Sequence, residues 1–217
     1  MTKAELDKLS VDISAGLIEE YIEKFETENG CDDAAVKAIF KVFPANSDIS
    51  QVMAKVTMVN HFYHTRIVDK NIQAVANHIC KIPGLDEMLN AGKTEAVGLI
   101  AKTPEGINKV YSFASKYCSF SKASSYPIMD GISRGVIYVI GKSKGFESLQ
   151  ELEGYSQLAK YKMDYTEYKK LVDELIRLIP MESLKDDDGT YKKIDMFLWK
   201  YGKTARIDID GREIKFD

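Results

Sequence analysis

Apolar residues recur at three- and four-residue steps along most of the chain, the spacing of one face of an α-helix. Ile13, Leu17, Ile18, Tyr21, Ile22 and Phe25 predict a first amphipathic helix, with Asn29-Gly30 as its stop. Asp32 or Asp33 can cap a shorter second helix through Phe43, which Pro44 ends. Asp48 introduces a third, with Ile49, Val52, Met53, Val56, Val59 and Phe62 on one face. A polar break over His64 to Arg66 precedes a fourth carrying Val68, Ile72, Val75, Ala76 and Ile79, ended by Pro83-Gly84. Residues 85–89, 93–101 and 105–118 predict three more helical pieces.

The period breaks over 119–125, and Pro127 fixes the chain for a new start. Asp130 stands where it can cap a helix over 132–140. That helix contains VIYVI, a run that periodicity alone leaves open between strand and buried helix; its helical neighbours favour helix. Residues 141–145 read as a loop. Tyr165, Tyr168, Leu171, Val172, Leu175, Ile176 and Ile179 predict a clear amphipathic helix stopped by Pro180. Residues 186–189 (DDDG) read as a turn, and 191–201 as a last helix with Ile194, Phe197 and Leu198 facing inward. The tail ARIDIDGREIKF alternates around Asp210-Gly211, the pattern of a small β-hairpin. With short gaps and no linker or repeat, the expectation is one all-α domain over 1–217, with about eight to ten helices.

Composition narrows the function classes. The chain has 217 residues and a formal net charge of −3, which argues against indiscriminate coating of nucleic acid but leaves room for a local basic face. Cys31, Cys80 and Cys118 are odd in number, far apart and set in apolar helical patterns, so buried free thiols in a reducing compartment are expected. No charged-then-apolar leader and no membrane-length run is present, and a cytoplasmic protein without membrane contact is the expectation.

Several chemical signals fail. Gly135 and Gly141 enclose five residues where a phosphate-binding P-loop needs four, and Gly92-Lys93-Thr94 has Glu87 where the upstream glycine belongs. The 186–188 acidic run lacks the ligand spacing of a calcium loop, and Asp208 and Asp210 fit a hairpin. His61 and His64 share a helical face only if the helix continues through them, and no third zinc ligand is placed beside them. No metal and no cofactor is expected.

The stretch Tyr111 to Gly135, YSFASKYCSFSKASSYPIMDGISRG, is the least generic part of the chain. It reads as a helix end, an aromatic and serine-rich loop, and a capped helix start. Lys116 precedes Asp130 by fourteen positions, across a loop able to bring ammonium and carboxylate together. With its Ser115-Lys116 and its Tyr126-Pro127-Ile128-Met129-Asp130, this segment resembles the helix-hairpin-helix DNA glycosylases, closest to bacterial proteins with the fold of 8-oxoguanine DNA glycosylase. The helical pair around HTRIVDKN and the closing Phe197-Leu198-Trp199-Lys200-Tyr201-Gly202 are similar to parts of the same fold, so the resemblance covers about 48–202 in patches and implies two lobes. The match departs at the hairpin: the family's Gly-x-Gly turn becomes Thr103-Pro104-Glu105-Gly106, with one glycine and an acid facing the phosphate position.

The resemblance implies a base-excision DNA glycosylase, with or without lyase activity, acting on a flipped base. It implies Lys116 as the nucleophile that forms a Schiff base with the sugar, or Lys109 if the hairpin register is counted from Gly106, and Asp130 as the stabilising carboxylate. It implies Phe113, Tyr117, Phe120 and Trp199 as the base pocket, and Lys122, Arg134, Lys142 and Lys144 as phosphate contacts. Each has a plainer reading. Asp130 is complete as a helix cap, Lys116 as its buried ion-pair partner, the aromatics as core, and the lysines as solvated surface. The runner-up function is therefore a non-catalytic member of that fold that binds DNA or a protein partner. A third class is a defence or regulatory protein whose cleft recognises a nucleotide-like ligand without cleaving it.

Overall fold

The structure is a computed structural model that describes residues 13–104, 110–150, 163–179 and 189–204. The described residues are helical, with no strand among them. In order they form α1 (Ala15–Val42), α2 (Ile49–Tyr63), a 3₁₀ turn (Asp69–Asn71), α3 (Ile72–Cys80), α4 (Leu85–Asn90), α5 (Glu95–Ala101), α6 (Tyr111–Ser121), α7 (Gly131–Lys144), α8 (Glu147–Gln150), α9 (Tyr165–Leu178) and α10 (Thr190–Thr204). The expected C-terminal hairpin, most of the 186–189 turn and Lys109 lie outside the described residues. No described helix is long and apolar enough to cross a membrane.

The chain divides into two units: a split unit, Met1–Thr27 with Met129–Asp217, and a central unit, Glu28–Ile128. Helix α1 starts in the first and ends in the second. It runs straight through Asn29-Gly30, where the sequence pattern predicts a stop followed by a second helix. Glycine costs a helix interior only about 1 kcal/mol. Here apolar residues on both sides are anchored in cores, Ile18, Ile22 and Phe25 before the glycine and Val36 and Phe40 after it. The dipeptide therefore sits beside the boundary between units rather than at a helix end.

In the central unit, α2 packs along α3 and α6, α5 along α6, and α4 against α5. Asp48 caps α2 as its position predicts, accepting from Ser50 N at 2.8 Å and Gln51 N at 3.0 Å. Helix α2 ends at Tyr63, and His64 and Arg66 then take the left-handed conformation, which removes His64 from the helix that carries His61. Helix α6 is the interior element: every residue from Phe113 to Ser119 is buried. Ser115 tolerates this because its hydroxyl bonds back to Ser112 O at 3.2 Å, and the half-buried Ser121 does the same to Tyr117 O at 2.9 Å.

In the split unit, α7 packs along α10, α9 lies against both, and α8 lies against α7 and α9. VIYVI is helical, and α7 runs on to Lys144 before Gly145 closes it in a left-handed cap, so the predicted 141–145 loop is helix to its last residue. Gly202 is what lets α10 approach α7: a Cβ there would meet Ile132 Cγ2 at 2.4 Å and Val136 Cγ2 at 2.7 Å. Helix α9 opens with a reciprocal cap, Asp164 Oδ1 accepting from Glu167 N and Glu167 Oε2 accepting from Asp164 N, each at 2.8 Å. Tyr21 and Phe25 of α1 meet Phe197, Trp199 and Tyr201 of α10 edge to face.

Candidate functional site: a buried lysine cluster

A buried polar cluster of the central unit surrounds Lys55. Its helix places it on the same face as Val52, Val56 and Val59, and all four are buried. The Lys55 side chain is 0% exposed. Its Nζ donates to Ala45 O at 2.9 Å and to Asn46 Oδ1 at 2.7 Å, in the loop between α1 and α2. The rings of Phe40 and Tyr117 stand 5.3 and 5.4 Å from the same nitrogen.

Asn46, 4% exposed, is the hub. Its Oδ1 accepts a second bond from the Tyr117 hydroxyl at 2.5 Å. Its Nδ2 donates to Asp86 Oδ1 at 2.5 Å, and its backbone N–H to Asp86 Oδ2 at 3.3 Å. One loop residue thus ties together α2, α4 and α6, and each partner's polar atom finds a mate, as burial demands. Asp86 does not touch Lys55 as an ion pair; the Asn46 amide links them.

Burial pulls the Lys55 ammonium down to about 8, against the opposing pull of Asp86 and Cys80. Burial pushes the Tyr117 phenol well above its usual range, helped by Cys118, Cys80 and Asp86. The Cys80 thiol is also raised by burial, with Lys55 opposing, and Cys118, wholly buried, is raised for the same reason. Cys31 is exposed, contrary to the expectation of three buried thiols. Its position in the helical stretch over 15–42 puts it on the polar side, away from Val36 and Phe40. The described residues hold no group of three or more metal-ligating side chains.

The residues singled out by the sequence occupy both units. Lys116, 3% exposed, belongs to the central unit. Its Nζ donates to Ser112 Oγ at 3.0 Å and stands 5.7 Å from the Tyr63 ring. The Tyr63 hydroxyl in turn donates to Asp33, whose other oxygen is 3.3 Å from Lys37 Nζ. Asp130 belongs to the split unit and caps α7, accepting from Ile132 N at 3.0 Å and Ser133 N at 2.9 Å. Phe113, Tyr117 and Phe120 do come together, around Phe40: Phe40 lies 5.0 Å from Tyr117 and 5.7 Å from Phe120, and Phe113 5.7 Å from Tyr117. Trp199 belongs to the split unit, edge-on to Phe25 at 5.7 Å with Lys203 Nζ 4.0 Å over its ring. Lys122 donates to Asn90 O in the central unit. Arg134, Lys142 and Lys144 are carried by α7, the Arg134 charge acting on the Tyr168 phenol and the two lysines standing in the last turn, where cations complement the helix dipole.

Sequence reasoning passed over Lys55, Asn46 and Asp86. A signal for the first was present: a lysine falling on the apolar stripe of α2 needs a buried partner or a route to solvent.

Comparison with known proteins bears on the same unit. The family described as HI_0787_N, an N-terminal domain, matches residues 17–125. An uncharacterized protein of Haemophilus influenzae is 28% identical over 157 residues, 71% of this chain and 68% of that protein. No solved structure matches. The Lys55 cluster and Lys116 fall inside the family match, and Asp130 falls outside it.

Proposed function

The chain belongs to the HI_0787_N family, and we propose that it is a non-catalytic protein-binding module that presents the 43–48 loop to a partner. One observation carries the reading: a buried polar cluster of the central unit is spent on fixing the backbone of an exposed loop. Lys55, Asp86 and Tyr117 grip Asn46 from beneath, while Pro44, Ala45, Ser47 and Asp48 face solvent. Val42 just before the loop is 64% exposed and Ile49 just after it 36%. A loop held in one conformation before binding loses less entropy on docking. The loop, FPANSD, contains no lysine or arginine for phosphate contact, which favours a protein over DNA as the occupant.

The glycosylase reading draws its support from the resemblance. Lys116 and Asp130 each have a local structural employment, one with Ser112 and Tyr63, the other at the head of α7. The deciding experiment is base release and borohydride trapping on duplexes carrying 8-oxoguanine or an abasic site. The module reading expects neither product nor adduct; an adduct lost in Lys116→Gln overturns it.

A further inference from the structure

The geometry of the Lys55 cluster points to a proton-operated latch: uptake of a proton by Lys55 loosens the 43–48 loop, and release of that proton tightens it. The inference goes beyond partner binding and stands whether or not the loop docks anything.

Proton counting is the first reason. A neutral lysine amine has two N–H donors, and two oxygens receive them, Ala45 O and Asn46 Oδ1. An ammonium has a third donor, and only the faces of Phe40 and Tyr117 are left for it. The second reason is the carboxylate. Asp86 is engaged twice by Asn46, so Lys55 feels its charge across an amide rather than in an ion pair. The third is enclosure: with no exposed surface, the charged form has no water to solvate it unless the loop lifts. Opening the loop removes both acceptors at once, because both belong to 45 and 46. Water takes their place and solvates all three donors of the ammonium, so the open form holds the proton more tightly than the closed one, and linkage makes protonation favour opening.

The groups around Lys55 do not supply an alternative switch near neutrality. Phe40 from α1 and Tyr117 from α6 stand beside it, and Cys80 of α3 and Asp86 of α4 act on it through their charge. Burial raises both the Cys80 thiol and the Tyr117 phenol, so they lose protons only at higher pH. With the closed-state lysine near 8 and the open-state lysine at its ordinary 10.5, the opening constant falls roughly twentyfold between pH 7.5 and 9.5.

Two measurements on the full chain test this. Lysine ¹³Cε NMR of the unmodified protein follows the Lys55 titration directly, and amide hydrogen exchange, corrected for intrinsic rates, reads the opening of 43–48. The latch predicts a Lys55 midpoint well below the other lysines and a loop-opening constant that falls with the same midpoint. Lys55→Met, neutral and similar in length, should leave opening independent of pH over that range. A Lys55 that stays protonated through pH 10, or loop opening that is flat with pH in the unmodified chain, overturns it. The NMR titration keeps the test decisive if the variant fails to fold.

Discussion

The Tyr117 hydroxyl donates to Asn46 Oδ1 at 2.5 Å across 71 residues of sequence, and this bond ties the buried helix α6 to the loop that precedes α2. Asn46 is unusual among the loop residues in facing inward while its neighbours on both sides are exposed. Removing its side chain takes a partner from the buried Lys55 and Tyr117 and from the half-buried Asp86. Asn46→Ala should destabilise the chain by about 3–5 kcal/mol, whereas Tyr117→Phe, which removes one donor and leaves Asn46 its bond to Lys55, should cost about 1 kcal/mol. Urea denaturation of the two variants side by side checks the ratio.

Glycine substitutions should separate by position. In Gly202→Ala the new methyl lands within 2.7 Å of both Ile132 and Val136, and forcing α10 off α7 should cost about 1–3 kcal/mol. Gly30, inside α1, has nothing within 4 Å of a built Cβ, so Gly30→Ala should stabilise by about 0.5–1 kcal/mol through helix propensity. Thermal melts of both variants give the opposite signs directly.

Stability against pH should be non-monotonic in the alkaline range. Lys55 has a folded pKa of about 8, below its unfolded 10.5, so between those values the unfolded chain binds more protons and stability rises with pH. Cys118, Tyr117 and Tyr126 have folded values raised by burial. They keep protons that the unfolded chain releases above about pH 9 to 10, so their contribution falls there. The unfolding free energy should therefore climb from pH 8 toward 9 and decline beyond 10. Lys55→Met should erase the climb, and Cys118→Ala should soften the decline.

Asp130 offers a test of structural against chemical employment. As the cap of α7, Asp130→Ala should cost about 1 kcal/mol and Asp130→Ser or Asp130→Asn much less. A catalytic carboxylate would instead lose its activity in the serine variant while stability stayed intact. Melting curves and base-release assays on the three variants distinguish the two.

Much of the helical order was legible because periodicity and caps are local. Asp48 at the head of α2 and the apolar stripe of α9 are where the sequence puts them. Asn29-Gly30 misled because its effect on a helix is about 1 kcal/mol, less than the packing of Phe25 on one side and Phe40 on the other. VIYVI was ambiguous for its length, and the close approach that Gly141 allows to Leu149, where a Cβ would sit 2.5 Å from Cδ1, is a contact that hydrophobic periodicity does not encode. The site was harder still. Lys55 announces itself by standing on an apolar face, but its mates come from a loop, from α4 and from α6. Nothing in the spacing of 46, 55, 86 and 117 brings them together; the packing of α2 against α6 and the bonds of Asp86 to Asn46 do.

Site-specific photocrosslinking from the loop decides whether residues 43–48 dock a protein. A photoreactive residue would replace Val42 or Ile49, with Thr57, exposed on α2, as the control position. A docking loop gives one discrete protein adduct from 42 and 49, absent from 57, whose purified partner binds the unmodified chain and loses at least about tenfold in affinity to Val42→Glu. No discrete adduct from 42 and 49, equal capture from 57, or an adduct with duplex DNA in place of protein would contradict it.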